Sequence, residues 1–336
     1  MGKSLRVPCS LAAALGLLIA VPGFARAAGW NVPAAERYSS RTGGLALMVW
    51  RDGRMEGQSF AKGISERTPL PAYSITKSIV ALSCLAAPQA RLSKTVGAGA
   101  RAVTLRELLS QTSGLAPGYN RLYAKSVPDI RKAAAAVPAE SAAGNRFSYG
   151  PSHYEMLGNV PEFFPVGGPF PPTLLLKKLG VSPAGWRTDR RGQPYLSAGA
   201  VLTPLDLLRL GRFVLGRARG SGLFPAVSTE RFREAICGSE ANPCYGLGFW
   251  LNPNTRGNAR ERDIEEALRG GLSRADWQAT CLSRKAPADL ICMAGSGGQR
   301  VYVFPSLGAV VVRLGQPKGF RDPDFLRALL STPAAR

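Results

Sequence analysis

The sequence of 336 residues predicts a mixed α/β (α+β) fold, in which helices flank an antiparallel sheet built from both ends of the chain and the middle forms a mostly helical lobe. Strand-like apolar segments lie near both ends, whereas helix-capping patterns lie between them. The length also exceeds what a single small core fills. We therefore expect a sheet lobe at about 30–100 and 240–336, and a helical lobe at about 101–239.

The first 27 residues predict a signal peptide. Lys3 and Arg6 provide a charged start, Leu11–Val21 is a short apolar run, and Ala25–Ala27 provides a small-residue cleavage site. We expect cleavage near Ala27 and an exported protein, periplasmic or secreted. A retained N-terminal anchor is the alternative. No later segment is apolar over the length that spans a bilayer.

A hairpin is predicted next, from the strand Gly43–Trp50, the turn Arg51–Gly53 and the returning strand Arg54–Ala61. Prolines then give way to an apolar run of helical length, so a helix should start at Ser74.

The middle of the chain carries mainly helical signals. Thr104 with Glu107 three residues later predicts a capped short helix. The segment 119–143 is predicted to be mostly helical and 160–172 irregular. A turn before His153 leads into another helix, and Thr203-Pro204 begins a helix that extends to about Leu215.

The C-terminal part returns to strand patterns and closes with a helix over 322–330. The predicted strands are Tyr245–Leu251, Asp276–Leu282, Asp289–Met293, Gly298–Phe304 and Ala309–Leu314.

The charge is strongly basic, with 43 lysines and arginines against 22 acidic residues and a formal net charge of +21. The basic residues are dispersed and accompany no nucleic-acid-binding motif, so nucleic acid is not a predicted partner. Attraction to an anionic cell envelope is one interpretation. A compositional bias toward arginine is the other.

Five cysteines follow the predicted signal peptide. In an exported chain their spacing predicts two local disulfides, Cys237–Cys244 and Cys281–Cys292, with Cys84 left as a small core residue. His153 is the only histidine, and no Cys-x-x-Cys motif or histidine–carboxylate cluster occurs. We therefore predict no metal and no cofactor.

Ser74 and Lys77 form a Ser-x-x-Lys pair at the start of the predicted helix. Residues three apart share one helix face, so the lysine amine can reach the serine hydroxyl. The helix dipole and burial would both lower the pKa of Lys77 toward that of a general base. The alternative is a serine that only caps the helix, beside a solvated lysine.

Several separated segments together resemble the serine β-lactamase and penicillin-binding-protein superfamily, in particular its class C-like branch of esterases, D-peptidases and 6-aminohexanoate-dimer hydrolases. Gln111 stands where that branch commonly has histidine. The resemblance implies a β-lactamase/transpeptidase-like fold. The segments that carry it are Tyr73–Ser78, Val103–Leu115, Phe147–Pro151, Ser197–Leu207, Tyr245–Trp250 and Met293–Gln299.

The resemblance implies a role for each matching position. Ser74 would be the acylated nucleophile, Lys77 its base, and Tyr149 a second acid/base that passes a proton to the leaving group. Lys77 would have to lower the pKa of Tyr149 for that role. The backbone N–H groups of Ser74 and Ser296 would form the oxyanion hole. A packed aromatic at a helix start is the alternative for Tyr149.

Two departures from the family pattern bear on the substrate. Among the implied substrate-binding positions Pro151, Met293 and Gly295, proline replaces an asparagine and methionine replaces a cation. We expect a serine hydrolase that acts on a less polar ester or small amide, with weak or absent β-lactamase activity. The alternative is a catalytically silent cell-wall-binding protein.

His153 would have to serve in a Ser-His-Asp triad if the lysine did not act as base. No Gly-x-Ser-x-Gly motif accompanies it. We expect instead a hydrogen-bonded histidine at the start of a helix.

Overall fold

A computed structural model describes residues 30–96, 102–124, 127–165, 168–221, 227–269 and 271–332. The predicted signal peptide lies outside these ranges and stays a prediction. Within the described ranges, no helix combines the length and the apolar character needed to cross a membrane.

The strands are given in chain order. They are β1 Gly44–Arg51, β2 Arg54–Phe60, β3 Leu70–Pro71, β4 Thr95–Val96, β5 Val103–Thr104, β6 Gly185–Trp186, β7 Ala200–Leu202, β8 Trp250–Leu251, β9 Arg260–Glu261, β10 Thr280–Cys281, β11 Ile291–Gly295, β12 Gln299–Phe304 and β13 Ala309–Gly315.

The helices are given in the same way. They are α1 Val32–Arg41, α2 Ile75–Ala86, α3 Leu105–Leu109, α4 Tyr119–Leu122, α5 Ile130–Ala135, α6 Ser152–Leu157, α7 Pro171–Lys178, α8 Pro204–Ala218, α9 Thr229–Ala235, α10 Ile264–Arg269, α11 Arg274–Gln278 and α12 Asp322–Leu329.

Both chain ends build the main sheet, as predicted. Its six strands lie in the order β2-β1-β13-β12-β11-β8 and pair antiparallel, with Leu47 of β1 opposite Arg313 of β13. Val310 and Val312 face one core and Val311 the other, because successive side chains of a strand point to opposite faces. A sheet buried on both faces needs helices on both sides.

Helix α8 covers one face of this sheet. Thr203 and Asp206 form its capping box, as predicted from the Thr203-Pro204 pair. Gly211 faces the sheet, and a Cβ there would lie 2.5 Å from a methyl of Val310. Glycine therefore lets α8 pack closely against β13. On the other face, α1 packs against α12 and β1.

The predicted hairpin, the capped helix α3 and the helices α2, α6, α8 and α12 are all confirmed. The sequence did not predict α1, α7, α9 or α10. Segment 119–143 was predicted to be mostly helical, but its described residues, 119–124 and 127–143, contain only α4 and α5. Helix α5 ends at Ala135, three residues before Pro138, and a proline disfavours helical conformation in the residue that precedes it.

The predicted strand Asp276–Leu282 is wrong in its first half, which belongs to helix α11. Ser273 and Asp276 form a capping box there, and these local bonds satisfy the first N–H groups of a helix. Only Thr280 and Cys281 are extended, and they pair with β9 outside the main sheet.

The structure contains neither of the predicted disulfides. Cys281 lies in β10, whereas the buried Cys292 lies in β11 of the main sheet, so the two do not face each other across one hairpin. The thiol of Cys244 lies 3.2 Å from the carbonyl oxygen of Thr280. Cys84 is buried and unbonded to another cysteine, as predicted.

Candidate active site

Ser74 stands at the N-terminal end of α2 without capping it. Its side chain makes no capping hydrogen bond to the helix. The residue before it, Tyr73, has a φ of 47°, in the left-handed region that non-glycine residues rarely adopt. The Ser74 hydroxyl is thereby left for other contacts and lines a cavity of about 520 Å³.

Gly295 at the end of β11 comes close to this serine. A Cβ at that position would lie 2.4 Å from the carbonyl oxygen of Ala72 and 3.2 Å from the backbone nitrogen of Ser74. Only glycine permits this approach. Gly295 and Ser296 therefore line the same cavity as Ser74.

Lys77 is buried one helical turn after Ser74. Its Nζ donates to the Ser74 hydroxyl and to the carbonyl oxygen of Ser197, both at 3.0 Å. Burial lowers the pKa of Lys77 to about 7, and the negative charge of Glu155 opposes that shift. A large fraction of this amine is therefore neutral at pH 7 and can accept a proton.

Glu155 is a buried carboxylate that the sequence interpretation missed. It accepts hydrogen bonds from the backbone N–H groups of Leu196 and Ser197 and from the Ser197 hydroxyl. Burial raises its pKa, and these hydrogen bonds oppose the shift. Glu155 thus fixes the segment whose carbonyl holds Lys77. The only sequence signal was a single acid between Tyr154 and Met156 in α6.

Tyr149 lines the cavity, and the Nζ of Lys77 lies 4.9 Å from the centre of its ring. It also packs against Tyr245 and Trp250. Burial raises the pKa of Tyr149 to about 12, while hydrogen bonding with Ser74 lowers it in part. The expected lowering of this pKa by Lys77 is therefore wrong, and the phenol is held as a proton donor.

Gln111 holds the segment that carries Tyr149. Its side-chain oxygen accepts the N–H of Gly150 at 2.7 Å, and its amide nitrogen donates to the Tyr245 hydroxyl at 3.0 Å. Gln111 is thus a buried support of the site.

The chain was compared with models of known protein families. A family model described as Beta-lactamase matches residues 33–330. The chain belongs to the beta-lactamase family. The resemblance inferred from the sequence is confirmed, and membership supports a hydrolase.

Solved structures share the fold of this beta-lactamase family member at low sequence identity. A penicillin-binding protein from Bacillus halodurans is 15% identical with a TM-score of 0.59, covering 88% of this chain and 97% of that one. A beta-lactamase from Mycobacterium bovis is 20% identical with a TM-score of 0.57, and the match covers 88% of this chain and 95% of that one. EstCE1, a hydrolase with promiscuous acyltransferase activity, is 18% identical with a TM-score of 0.63, and the match covers 89% of this chain and 98% of that one. No curated protein sequence matches the chain.

Two of the three substrate-binding positions inferred from the beta-lactamase family do not line the cavity. Pro151 is buried at the N-terminal end of α6. Met293 is fully buried in the core between the sheet and α2, because alternation along β11 turns its side chain inward. Ala294 and Gly295 line the cavity instead. Pro151 and Met293 therefore give the cavity no apolar wall, although neither position carries the polar side chain of the family pattern.

His153 is a buried structural residue in this beta-lactamase family member, as predicted. Its Nε2 lies 2.6 Å from the carbonyl oxygen of Ser148, so it donates there, and its Nδ1 accepts from the Ser113 hydroxyl at 2.8 Å. Burial lowers the pKa of His153 to about 4. Both ring nitrogens are occupied, and neither contacts Ser74.

The part of the chain that the structure describes contains no group of histidine, cysteine, aspartate or glutamate residues that could hold a metal ion.

Proposed function

We propose that this chain is an exported serine hydrolase that cleaves an ester or small amide through an acyl-enzyme on Ser74, with weak or absent β-lactamase activity. The observation that carries the proposal is the contact of 3.0 Å between the Nζ of Lys77 and the Ser74 hydroxyl, together with a pKa of about 7 for that amine. A serine hydroxyl has negligible alkoxide at neutral pH unless a base takes its proton.

In acylation, neutral Lys77 accepts the Ser74 proton while the serine oxygen bonds to the substrate carbonyl carbon. The negative charge on the carbonyl oxygen would be stabilised by the N–H groups of Ser74 and Ser296. The bond to the leaving group then breaks, and Tyr149 hands that group a proton. Protonated Lys77 re-supplies the proton to Tyr149.

In deacylation, a water molecule attacks the acyl carbon and its proton passes to the same pair of residues. The bond between the acyl carbon and the Ser74 oxygen then breaks, the proton taken from water passes to that oxygen, and the acid product leaves. Every proton therefore moves between groups that already lie around Ser74, and this chemistry requires no cofactor or metal.

Export and envelope attraction are further parts of the proposal. They rest on the signal-peptide pattern of residues 1–27 and on the basic composition of the chain. The predicted partners are a small or peptide-like acyl substrate and the anionic cell envelope.

The test is covalent labelling by a fluorophosphonate probe. Wild type should be labelled and should hydrolyse a nitrophenyl ester, and Ser74→Ala should lose both. Ser65→Ala, at an exposed turn serine, is the matched control and should behave as wild type. Labelling of Ser74→Ala would contradict the assignment. A folded wild type that is never labelled would favour the alternative, a catalytically silent wall-binding protein.

A further inference from the structure

Arg187 lines the same cavity as Ser74, from the helical side of the molecule. It follows β6 directly. Its backbone N–H donates to the carbonyl oxygen of Gly199 at 2.8 Å, and its carbonyl oxygen accepts the N–H of Tyr195 at 3.0 Å. These hydrogen bonds fix the backbone of Arg187, so the point at which its side chain leaves the cavity wall is also fixed.

Aromatic rings support the exposed guanidinium of Arg187. Its central carbon lies 4.3 Å from the ring centre of Tyr195 and 5.9 Å from that of Tyr123. Stacking of this kind uses the flat face of the guanidinium. A hydrogen bond to the Tyr195 hydroxyl engages part of its N–H edge, and the remaining N–H groups stay available as donors. An arginine has five such donors, arranged to meet a planar anion.

The charge of Arg187 has no carboxylate partner among the described residues. The acid nearest in sequence, Asp189, is turned away, because its oxygens accept the backbone N–H groups of Ile130, Arg191 and Gln193. Glu155 is likewise directed to Leu196 and Ser197.

The other arginine of the cavity is already neutralised. Arg300 is fully buried and forms a double hydrogen bond with Asp322. The one acid that lines the cavity, Glu265, lies on the same side as Arg300, at 3.8 Å from it, and accepts the N–H of Gly298. Arg187 is thus the exposed cation of this wall.

We propose that Arg187 is the anion-binding group of the active-site cavity, and that the substrate is a small ester or amide whose acyl part ends in a carboxylate. This inference rests on the proposed function and deepens it. The carboxylate would accept hydrogen bonds from the N–H groups of the guanidinium that Tyr195 does not engage, while the tyrosines that line the cavity, Tyr119, Tyr123 and Tyr149, pack against the connecting chain. The volume of about 520 Å³ limits the substrate to small molecules.

The test compares two nitrophenyl esters with acyl chains of equal length, the neutral pentanoate and the glutarate half-ester that carries a terminal carboxylate. Wild type should prefer the charged ester in kcat/KM. Arg187→Met should reduce the ratio of the two values by about 10- to 100-fold, the usual effect of losing one charge-assisted hydrogen-bonding group. The loss should appear mainly in KM, and added salt should weaken the wild-type preference.

Two further variants control this experiment. Arg187→Lys keeps the charge but not the planar edge and should retain part of the preference. Arg190→Met removes an exposed arginine three residues away that does not line the cavity, and should leave the ratio unchanged. If Arg187→Met does not fold, the lysine variant and the salt dependence of wild type still give the answer.

An equal ratio in wild type and Arg187→Met would overturn the inference, since Arg187 would then only pack on the two tyrosines. If Ser74 is labelled but neither ester turns over, the same ratio is taken from the rates at which the two esters block labelling. Absence of both labelling and hydrolysis would instead contradict the proposed function.

Discussion

Two buried cations lie beside the active-site cavity, and they are held in opposite ways. Lys77 contacts a hydroxyl and a carbonyl oxygen, and no described carboxylate lies within ion-pair distance. Arg300 is paired through two hydrogen bonds, of 2.7 and 2.9 Å, with the equally buried Asp322. Burial lowers the pKa of Lys77 to about 7, whereas Asp322 raises that of Arg300 well above its usual value.

The difference shows that the partner, and not burial alone, decides what a buried cation can do. An amine surrounded by neutral acceptors can give up its proton, since the charged form is poorly stabilised. A guanidinium paired with a carboxylate stays charged at every working pH. Arg300 also donates to the carbonyl oxygen of Gly295, so this fixed charge supports the cavity wall.

The largest effect should follow from Lys77→Met, which removes the cation whose proton can move. Acylation should fall by at least about 1,000-fold, within the usual range for loss of a general base. The free energy of unfolding should not fall, because an apolar side chain replaces a desolvated amine. Labelling rate and urea unfolding measure the two quantities. A Lys77→Met variant that still acylates at the wild-type rate would show that Lys77 is not the base, and the contrast with Arg300 would then have no bearing on catalysis.

Arg300→Met should show the reverse pattern, with stability as its main loss. It leaves the Asp322 carboxylate buried without its partner, which costs about 3–5 kcal/mol in comparable cases. Urea unfolding measures this loss. The double variant Arg300→Met/Asp322→Leu removes both charges and should recover much of the stability. If Arg300→Met were as stable as wild type, the ion pair of Arg300 with Asp322 would not stabilise the fold.

Glu155→Gln tests how a distant carboxylate tunes Lys77. The negative charge of Glu155 favours protonated Lys77 and therefore raises its pKa. Removing the charge should lower that pKa, so the rise of kcat/KM with pH, centred near 7 in wild type, should move to lower pH. Glutamine keeps an oxygen that can accept the backbone N–H groups.

Glu162→Gln is the matched control, since Glu162 is an exposed partner of Lys94. Its pH profile should coincide with that of wild type. If Glu155→Gln alters only the height of the profile and not its position, Glu155 acts by holding Ser197 and not by charge.

His153→Gln should have the smallest effect on activity, within a few-fold of wild type. Its pKa of about 4 lies below the ordinary 6.5, so the unfolded chain binds its proton first as the pH falls from 6.5 to 4. Wild type should lose up to about 3 kcal/mol over that window, and the variant less. Urea unfolding at several pH values measures this.

A loss of activity in folded His153→Gln as large as that of Lys77→Met would instead revive a histidine base.

The parts of the site that were predicted correctly are local in sequence. Ser74 and Lys77 lie three residues apart, so helix geometry alone brings them together. Glu155 and Ser197 are 42 positions apart, and no local pattern links them. Met293 was wrongly predicted to bind substrate. Which side chains of β11 face the cavity depends on which face of the strand α2 covers, and the sequence of β11 alone does not show this. The fold followed the same division: the hairpin and the capped helices α3 and α8 were predicted, whereas the capped helix α11 and most of the short strands were missed.

The order of the strands also has a consequence for how the chain is made. β1 emerges early in synthesis, yet its neighbour on one side is β13, where Leu47 lies opposite Arg313. The main sheet, whose strand β11 carries the cavity residues Ala294 and Gly295, therefore cannot be completed until β13 has been synthesised. Such distant pairings slow folding. A chain that stops before residue 309 would expose an unpaired apolar strand edge, which is prone to aggregation.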